Sequence, residues 1–524
     1  YTMDQENSQI EAIAIKGNTV KAIGNSKDII KLKDNKTVLI DLQGKTFIPG
    51  LNDSHLHLYS TGISLFQVNL LGVISIQEVK NKVKKFITPE MNWILGRGWN
   101  QDYFTDENRF INRSDLDDIS KEHPIALKRA CGHMLVANSK AIELAGVTKE
   151  IKLDDGDIDL EKGIFTENAM DLIMNVVPKP TIENVKSTLI KGMNYANSLG
   201  ITSLQTDDLF TGVTFDKQLT LQALLELEKD FQLTTRIYEQ SLLQSKADLD
   251  HFLNAGFYTG YGNEFFKIGP LKLLADGSLG ARTAALTNPY KDDQSTKGML
   301  IYKNEELHEL ITHAHKNNMQ IAVHCIGDAA MEQVLDIYED VLKKFPKDNH
   351  RHGIVHCQIM TKEIHEKFAS NNVIAYIQPI FIHYDHRIVE ARVGHELAKT
   401  SYAFKSLLNR NVHIAMGTDS PIENINPFEN IYCAVTRKSL DGNLLNGWFP
   451  EEALSVEEAL YNYTVGSSYA SFSEKYKGKL IPEYLADLTV ISDDIFNIPL
   501  EKIKSINVLL TIVDGRVVYE KDDE

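Results

Sequence analysis

Residues Pro49–His57 read PGLNDSHLH and follow a largely apolar run, Val38–Ile48, that predicts a buried strand. Because residues two apart on a strand point to the same face, His55 and His57 can present two imidazoles to one point at the strand's carboxyl end. Imidazole binds zinc, iron and manganese, and such a pair would supply two of the three or four protein ligands that a metal site usually needs. A His-x-His pair alone is about as often a surface or core feature, so the remaining ligands decide the matter.

Four later segments have the same form, an apolar strand that ends in a polar side chain. They end at or near Lys272, His324, His356 and Asp419, and each is followed by glycine, serine or proline and then by a helical pattern. Strands that alternate with helices predict parallel βα units. In a closed (β/α)8 barrel, catalytic groups lie at the carboxyl ends of several different strands. The sequence therefore predicts an α/β fold of the TIM-barrel type with these side chains at one face.

The order of these side chains along the chain carries a family resemblance. His55-x-His57, Lys272, His324, His356 and Asp419 together resemble the ligand set of the metal-dependent amidohydrolase superfamily. Four further motifs are similar to the branch that includes N-substituted formamide deformylases: Gly96-Arg97-Gly98-Trp99, Cys131-Gly132-His133 with Asn138-Ser139, Gly163-Ile164-Phe165-Thr166-Glu167, and Asp276-Gly277-Ser278-Leu279-Gly280. The similarity extends over nearly the whole chain, but it does not identify the substrate.

The resemblance implies a metal centre that holds one or two divalent ions, with zinc favoured. His55 and His57 would bind the more buried ion, and Asp419 would complete its ligands from the last strand. His324 and His356, on adjacent strands, would bind a second ion or the exposed side of a single one. Any one of these histidines alone is more often a core residue, so the prediction depends on the joint set.

Lys272 is the unusual member of this set. An ammonium group has three donors and no lone pair, so it cannot bind a cation. Family members with lysine at this position imply that carbon dioxide converts Lys272 to a carbamate, whose two oxygens can bridge two metals. The alternative is an ion pair between Lys272 and Asp276, which lies two strand periods away on the same face. We expect the carbamate, because nearby cations would repel a lone ammonium.

The chemistry expected of such a centre is hydrolysis by a metal-activated water. A bound divalent cation lowers the pKa of its water from about 16 toward about 7 and polarises a carbonyl. Asp419 would take the proton from the attacking water and return it to the leaving amine. His324 or His133 would stabilise the oxyanion beside the metal.

Three further residues are predicted to contact the substrate. Trp99 and Glu167 belong to the motifs that resemble the deformylase branch. Arg282 could bind a substrate carboxylate through both arms of its guanidinium. An ion pair between Arg282 and Asp276 is an equal alternative on general grounds.

These residues together predict a metal-dependent amidohydrolase that cleaves a non-peptide C–N bond in an N-acyl or N-formyl amide. A cyclic amide, lactone, ester or phosphotriester substrate is an alternative, because a water-activating centre does not distinguish among them. A metal-dependent isomerase or decarboxylase could use the same ligands with Asp419 as a carbon base. A binding protein without activity would keep the fold alone, and this alternative is disfavoured because no ligand position is lost.

Short strands are predicted at both ends of the chain. Alternating runs with tight turns in residues 10–24 and 486–519 predict hairpins. The family resemblance implies that residues 1–47 and 477–524 form one small β-sandwich domain. Glu483 stands where the family usually has a glycine, so the turn there is expected to differ.

The barrel itself is predicted over residues 48–476, with an inserted segment at about 90–170. A bare barrel does not need an insertion of this size, and loops at the carboxyl face of a barrel carry function. We therefore expect a substrate lid and pocket wall, with a surface subdomain of no catalytic role as the alternative.

Composition limits the class of partner. The 55 Lys and Arg residues against 72 Asp and Glu residues give a net charge of −17, which argues against a nucleic acid or an anionic membrane as partner. A small-molecule substrate is expected, and a homodimer is left open. No apolar run reaches transmembrane length, no signal peptide is visible, and four cysteines do not make a disulfide framework, so a cytoplasmic location is expected. The chain begins at Tyr1 rather than methionine, which keeps an exported precursor as an alternative.

Overall fold

The computed structural model describes residues 1–4, 6–88, 91–107, 109–130, 132–151, 156–211 and 215–522. The chain divides into two compact units. Unit 1 comprises Tyr1–Leu58, Leu189–Phe210 and Thr220–Glu524, and unit 2 comprises Tyr59–Thr188 and Thr211–Leu219. Within the described ranges, no helix has both the length and the apolar character that a membrane span requires.

The strands in the described ranges are, in chain order, β1 (Ala12–Lys16), β2 (Thr19–Gly24), β3 (Thr46–Pro49), β4 (Leu51–Leu56), β5 (Val68–Asn69), β6 (Ile94–Trp99), β7 (Ile125–Arg129), β8 (Met134–Ala137), β9 (Ile158–Asp159), β10 (Ile164–Thr166), β11 (Ile201–Thr206), β12 (Arg236–Leu242), β13 (Phe266–Leu274), β14 (Ile321–Cys325), β15 (Gly353–His356), β16 (Ile374–Ile377), β17 (Ile414–Met416), β18 (Leu488–Ile491), β19 (Val508–Val513) and β20 (Arg516–Glu520).

The α-helices in the same ranges are α1 (Ser26–Ile29), α2 (Leu58–Ser64), α3 (Ile76–Phe86), α4 (Arg113–Asp117), α5 (Ser139–Ala145), α6 (Met170–Met174), α7 (Ile182–Ser198), α8 (Lys217–Lys229), α9 (Lys246–Asn254), α10 (Asn304–Lys316), α11 (Asp328–Lys344), α12 (Lys362–Ser370), α13 (Ile382–Asp385), α14 (Val389–Val393), α15 (His395–Ala398), α16 (Phe404–Leu408), α17 (Pro427–Thr436), α18 (Val456–Tyr461) and α19 (Ser467–Ala470). Short 3-10 turns lie at Ile30–Leu32, Gln101–Tyr103, Glu167–Ala169, Pro379–Phe381, Pro450–Glu452 and Leu500–Ser505, and a π turn lies at Asn462–Gly466.

An eight-stranded parallel sheet forms the centre of unit 1, in the order β17-β16-β15-β14-β13-β12-β11-β4. Strands β4, β11, β15, β16 and β17 are buried along their whole length, as expected for parallel strands that helices cover. The first and last strands meet where they end: the Asp419 amide donates to the His55 carbonyl, and the His57 amide donates to the Ser420 carbonyl, both at 2.8 Å. This arrangement confirms the predicted α/β barrel.

Antiparallel sheets built from both chain ends accompany the barrel in unit 1. Strands β20, β19, β18 and β3 form a four-stranded sheet, and β1 pairs with β2. Apolar side chains of both sheets share one core that includes Val20, Phe47, Leu488 and Leu510. The chain therefore brings its two ends together, as the sequence predicts for the β-sandwich.

The turn at Glu483 keeps the conformation that a glycine would favour. Glu483 has a φ of 72°, in the left-handed region, and its amide donates to the Val20 carbonyl at 2.9 Å. Glu483 thus adopts a conformation that costs L-residues about 1–2 kcal/mol, and a difference from the family's turn stays a prediction.

Unit 2 has a sheet and a core of its own. Its strands run in the order β5-β6-β7-β8-β10-β9, in which β5, β6 and β7 are parallel and the remaining pairs antiparallel. Ile94, Trp99, Leu127 and Val136 are among its core residues. The unit begins at Tyr59, directly after the first barrel strand, so the inserted fold is larger than the predicted 90–170 segment. Its role as a lid stays a prediction.

Candidate metal centre

His55 and His57 lie at the end of strand β4, and one ring nitrogen of each forms a hydrogen bond within the protein. His55 Nδ1 lies 2.7 Å from Gln240 Oε1, and His57 Nδ1 lies 2.7 Å from the carbonyl oxygen of Asp207. The Gln240 amide nitrogen donates to the Ser54 carbonyl at 3.0 Å, which leaves its oxygen facing His55. Since both acceptors are oxygens, each Nδ1 carries a proton, and each Nε2 can present its lone pair to a metal that takes the place of any proton there. This is the tautomer of a metal-binding histidine.

Asp419 brings a carboxylate to the same point from the loop after β17. Its Oδ1 lies 3.5 Å from His55 Nε2 and 3.2 Å from His57 Nε2. Ligand atoms of these three residues all lie within 4.8 Å of one another. Asp419 Oδ1 is buried and has no hydrogen-bond partner in the described part of the chain. Two nitrogen lone pairs and a free carboxylate oxygen that converge in this way fit a divalent cation.

The electrostatics of this point also favour a cation. Burial disfavours a charged His57, but Asp419 and Asp207 outweigh burial and raise the pKa of His57 to about 9. Burial would raise the pKa of Asp419, and the nearby His57, His356 and Lys272 hold it below its ordinary value instead. The carboxylate is therefore ionised at neutral pH, and positive charge is stabilised beside it.

His356 and His324 lie next to this group on adjacent strands. His356 Nδ1 faces Gln378 Oε1 at 2.9 Å, and the Gln378 amide nitrogen donates to the Tyr376 carbonyl, so His356 Nε2 keeps its lone pair. The His356 ring centre is 5.4 Å from that of His55 and 4.5 Å from that of His324. Burial lowers the pKa of His356 to about 4, and it lowers the pKa of His324 well below its ordinary value. Both imidazoles are therefore neutral and able to bind a metal.

His324 has the opposite tautomer from its neighbours. Its Nε2 lies 3.0 Å from the carbonyl oxygen of Gly277, so Nε2 carries the proton and Nδ1 keeps the lone pair. With its one N–H committed to Gly277, His324 offers a lone pair rather than a proton. It is better suited to bind a metal than to stabilise an oxyanion.

Lys272 is fully buried beside these histidines and forms an ion pair. Its Nζ lies 3.1 Å from Asp207 Oδ2. The alternative partner, Asp276, is wrong, because its carboxylate instead accepts hydrogen bonds from the backbone amides of Ile326, Gly327 and Ala285. A carbamate on Lys272 would have to replace the ion pair with Asp207.

Sequence reasoning missed Asp207, Gln240 and Gln378. Asp207 directly follows β11, and Gln378 directly follows β16, so both show the signal of a polar residue after a buried strand. Gln240 lies inside β12 between two other polar residues, Glu239 and Ser241. The sequence alone does not show which of these three side chains contacts His55.

The predicted substrate contacts of unit 2 divide into a core residue and an exposed pair. Trp99 is fully buried in the core of unit 2, its indole N–H donates to the Leu127 carbonyl at 3.1 Å, and its contact with a substrate stays a prediction. His133 Nδ1 lies 3.0 Å from Glu167 Oε2, and their side chains are 70% and 49% exposed. Their substrate role stays a prediction. Cys131, of the same motif, lies outside the described residues.

Arg282 forms an ion pair with Asp292. Its Nε and Nη2 donate to the two carboxylate oxygens of Asp292 at 3.2 and 2.9 Å, and Arg392 donates to the same carboxylate. The predicted alternative partner Asp276 is therefore wrong. A substrate carboxylate would have to displace Asp292 from this fork.

The barrel and the candidate metal ligands at its carboxyl end are typical of metal-dependent hydrolases. A family model for amidohydrolases matches residues 38–519, and the chain belongs to the amidohydrolase family. YtcJ of Bacillus subtilis (strain 168), which is named as an amidohydrolase, is 32% identical over 99% of this chain and 98% of its own length.

Two further comparisons agree with this assignment. A metal-dependent hydrolase from Pyrococcus furiosus has a crystal structure with a TM-score of 0.76 at 31% identity, covering 93% of this chain and 95% of that chain. An N-substituted formamide deformylase of Arthrobacter pascens is 23% identical over 99% of this chain and 97% of its own length.

Proposed function

We propose that the protein hydrolyses a non-peptide C–N bond in an N-acyl or N-formyl amide. The observation that carries the proposal is the convergence of His55 Nε2, His57 Nε2 and Asp419 Oδ1 within 4.8 Å at the carboxyl end of the barrel. The similarity to a formamide deformylase over 99% of this chain supports an amide substrate. A metal bound there would supply a water of lowered pKa and would polarise the carbonyl.

The residues of this chain have separate tasks in that reaction. Gln240 and the Asp207 carbonyl hold the two imidazoles of β4 in place through their Nδ1 protons. Asp419 accepts the proton of the attacking water and returns it to the leaving nitrogen, which departs poorly as an anion. Asp419 suits this task because its carboxylate is ionised and can accept a proton.

We also propose that the centre holds one or two divalent ions, with zinc favoured, and that Lys272 is carboxylated when they are bound. The support is the position of Lys272, buried among His55, His324 and His356, whose pKa values its charge lowers. The amine would add to carbon dioxide with loss of one proton, and the resulting carbamate could bind cations where an ammonium cannot. A carbamate signal in the 13C NMR spectrum after 13C-bicarbonate labelling, absent in Lys272→Met, would support it.

The substrate class is tested with the metal-loaded enzyme and a panel of compounds. We expect N-formyl and N-acetyl derivatives of one amine to be cleaved, with formate or acetate and the free amine as products. Matched lactones and phosphotriesters test the alternatives at the same centre. Cleavage of lactones or phosphotriesters alone would contradict the proposal that the substrate is an amide. Deuterium exchange at a substrate carbon, without hydrolysis, would indicate an isomerase instead.

We propose that the protein acts in the cytoplasm on a small-molecule substrate. Cys325, Cys357 and Cys433 are buried with free thiols, which supports a reducing compartment such as the cytoplasm. A small-molecule substrate follows from the proposed reaction.

A further inference from the structure

A small cavity lies at the end of the barrel opposite the metal ligands. Its volume is about 20 Å³, and its walls include Asn52, Arg236 and Lys267, which stand in the first two residues of β4, β12 and β13. The segment that ends at Tyr476 and Lys477 closes the other side. A cavity of this volume holds about one water-sized particle.

Two lysines border this cavity. Lys477 is buried, and its ammonium donates to Ser203 Oγ at 2.9 Å. Lys267 donates to the Tyr476 hydroxyl at 3.0 Å. Among the residues that the structure describes, neither lysine has a carboxylate within ion-pair distance. Glu264, at the exposed rim, is the acidic residue of the lining.

The remaining cation of the lining is already neutralised. Arg236 donates to both carboxylate oxygens of Asp487, at 2.7 and 3.0 Å, and to Asp514 at 2.9 Å. Asp487 and Asp514 are thus paired with Arg236, and in the described part of the chain neither carboxylate forms an ion pair with Lys477. Among the described residues, neither lysine takes part in this pairing.

Asn52 adds an unpaired amide to the same cavity. The residue is 2% exposed, and neither its Nδ2 nor its Oδ1 has a hydrogen-bond partner in the described part of the chain. A buried polar group without a partner costs about 1–3 kcal/mol, so a bound particle is expected to satisfy it. A water molecule could pair with Asn52, but it would leave the charge of Lys477 without a counterion.

We propose that this cavity binds one small inorganic anion of the size of chloride, held between the Lys477 ammonium and the Asn52 amide N–H. The site is distinct from the metal centre and does not depend on the proposed reaction. The anion would stabilise the base of the barrel, because it neutralises a buried ammonium and satisfies a buried donor with one particle.

The charge state of Lys477 gives the proposal a pH dependence. Burial, together with the charges of Arg236 and Lys267 and against the opposing effect of Asp487, lowers the pKa of Lys477 to about 7. An anion binds the ammonium and not the neutral amine. Binding should therefore be strong at pH 6 and weak at pH 9.

The test compares thermal unfolding in sodium chloride or bromide with unfolding in sodium gluconate at equal ionic strength and pH 6. We expect halide to raise the Tm of the whole protein by about 1–2 °C in a saturable way. Lys477→Met and Asn52→Ala should each abolish the halide effect. Lys475→Met, which removes an exposed lysine of the same segment, should keep it. Crystals soaked in bromide should show an anomalous peak beside Lys477 Nζ.

Two results would overturn the proposal. One is an equal Tm in halide and gluconate at pH 6. The other is a bromide-soaked crystal in which the cavity holds a water molecule and no anomalous scatterer. If Lys477→Met does not fold, Asn52→Ala and the bromide peak test the proposal instead. A halide effect on Tm that persists in Asn52→Ala, together with the absence of a bromide peak, would contradict the site.

Discussion

Gln240 is expected to control metal affinity although it does not reach the metal itself. Its oxygen accepts from His55 Nδ1 at 2.7 Å, and its amide nitrogen donates to the Ser54 carbonyl at 3.0 Å. Gln240→Met keeps the volume and removes both hydrogen bonds. His55 then loses the acceptor that fixes its ring and tautomer. Loss of such a partner typically weakens metal binding 10- to 100-fold, or about 1.4–2.7 kcal/mol.

Competition against a chromophoric zinc chelator at fixed pH would measure this change. Gln320→Met is a matched control, because Gln320 is a buried barrel glutamine whose amide nitrogen donates to the carbonyls of Arg351 and Ala470 and to no imidazole. It should lower the Tm and leave zinc affinity unchanged. Zinc affinity within threefold of the parent in folded Gln240→Met, or an equal loss in Gln320→Met, would refute the reasoning.

Four further predictions concern the reaction and the stability of the fold. Asp419→Asn should keep most of the metal but reduce amide turnover by about 10² to 10⁴, and metal analysis with steady-state kinetics checks both values. Lys272→Ala should lose activity that added short-chain carboxylates partly restore; full activity without them would contradict the carbamate. Burial lowers the pKa of His350 to about 4 from 6.5, so about 3 kcal/mol of stability should be lost as the pH falls from 6.5 to 4, and urea unfolding of His350→Asn should show a flatter pH profile. Glu483→Gly should preserve or raise the Tm, whereas Gly515→Ala, whose Cβ would lie 2.2 Å from the Gly17 carbonyl oxygen, should lower it.

The sequence could predict the ligand set because of a regularity of parallel barrels. Their strands end at the same face, so a polar residue that ends one strand meets those that end the others. His55, His57 and Asp419 converge for this reason, although the histidines and the aspartate are far apart in the chain. The same rule could have added Asp207 and Gln378, which follow buried strands in the same way.

Motifs outside the strand ends could not be interpreted as well. Trp99 stands in a motif shared with a deformylase branch, yet its side chain packs in the core of unit 2. Arg282 meets Asp292 within the long loop after β13, and a sequence does not show how such a loop folds back on itself. The sequence does not predict the ion pair between Lys272 and Asp207 either. Lys272 lies in β13 and Asp207 follows β11, so the two residues are far apart in the chain.

The passage from β3 into β4 has a consequence for how the protein is made. Gly50 alone separates the strand that pairs with β18 from the strand that carries His55 and His57, and the Gly50 amide donates to the Asp487 carbonyl. Within β4, the Asp53 carboxylate accepts a hydrogen bond from the Thr418 hydroxyl, and the two residues are 365 positions apart in the chain. Both contacts that support β4 thus come from residues made several hundred positions after it. A nascent chain therefore carries His55 and His57 long before Asp419 and the residues that hold their strand in place are made.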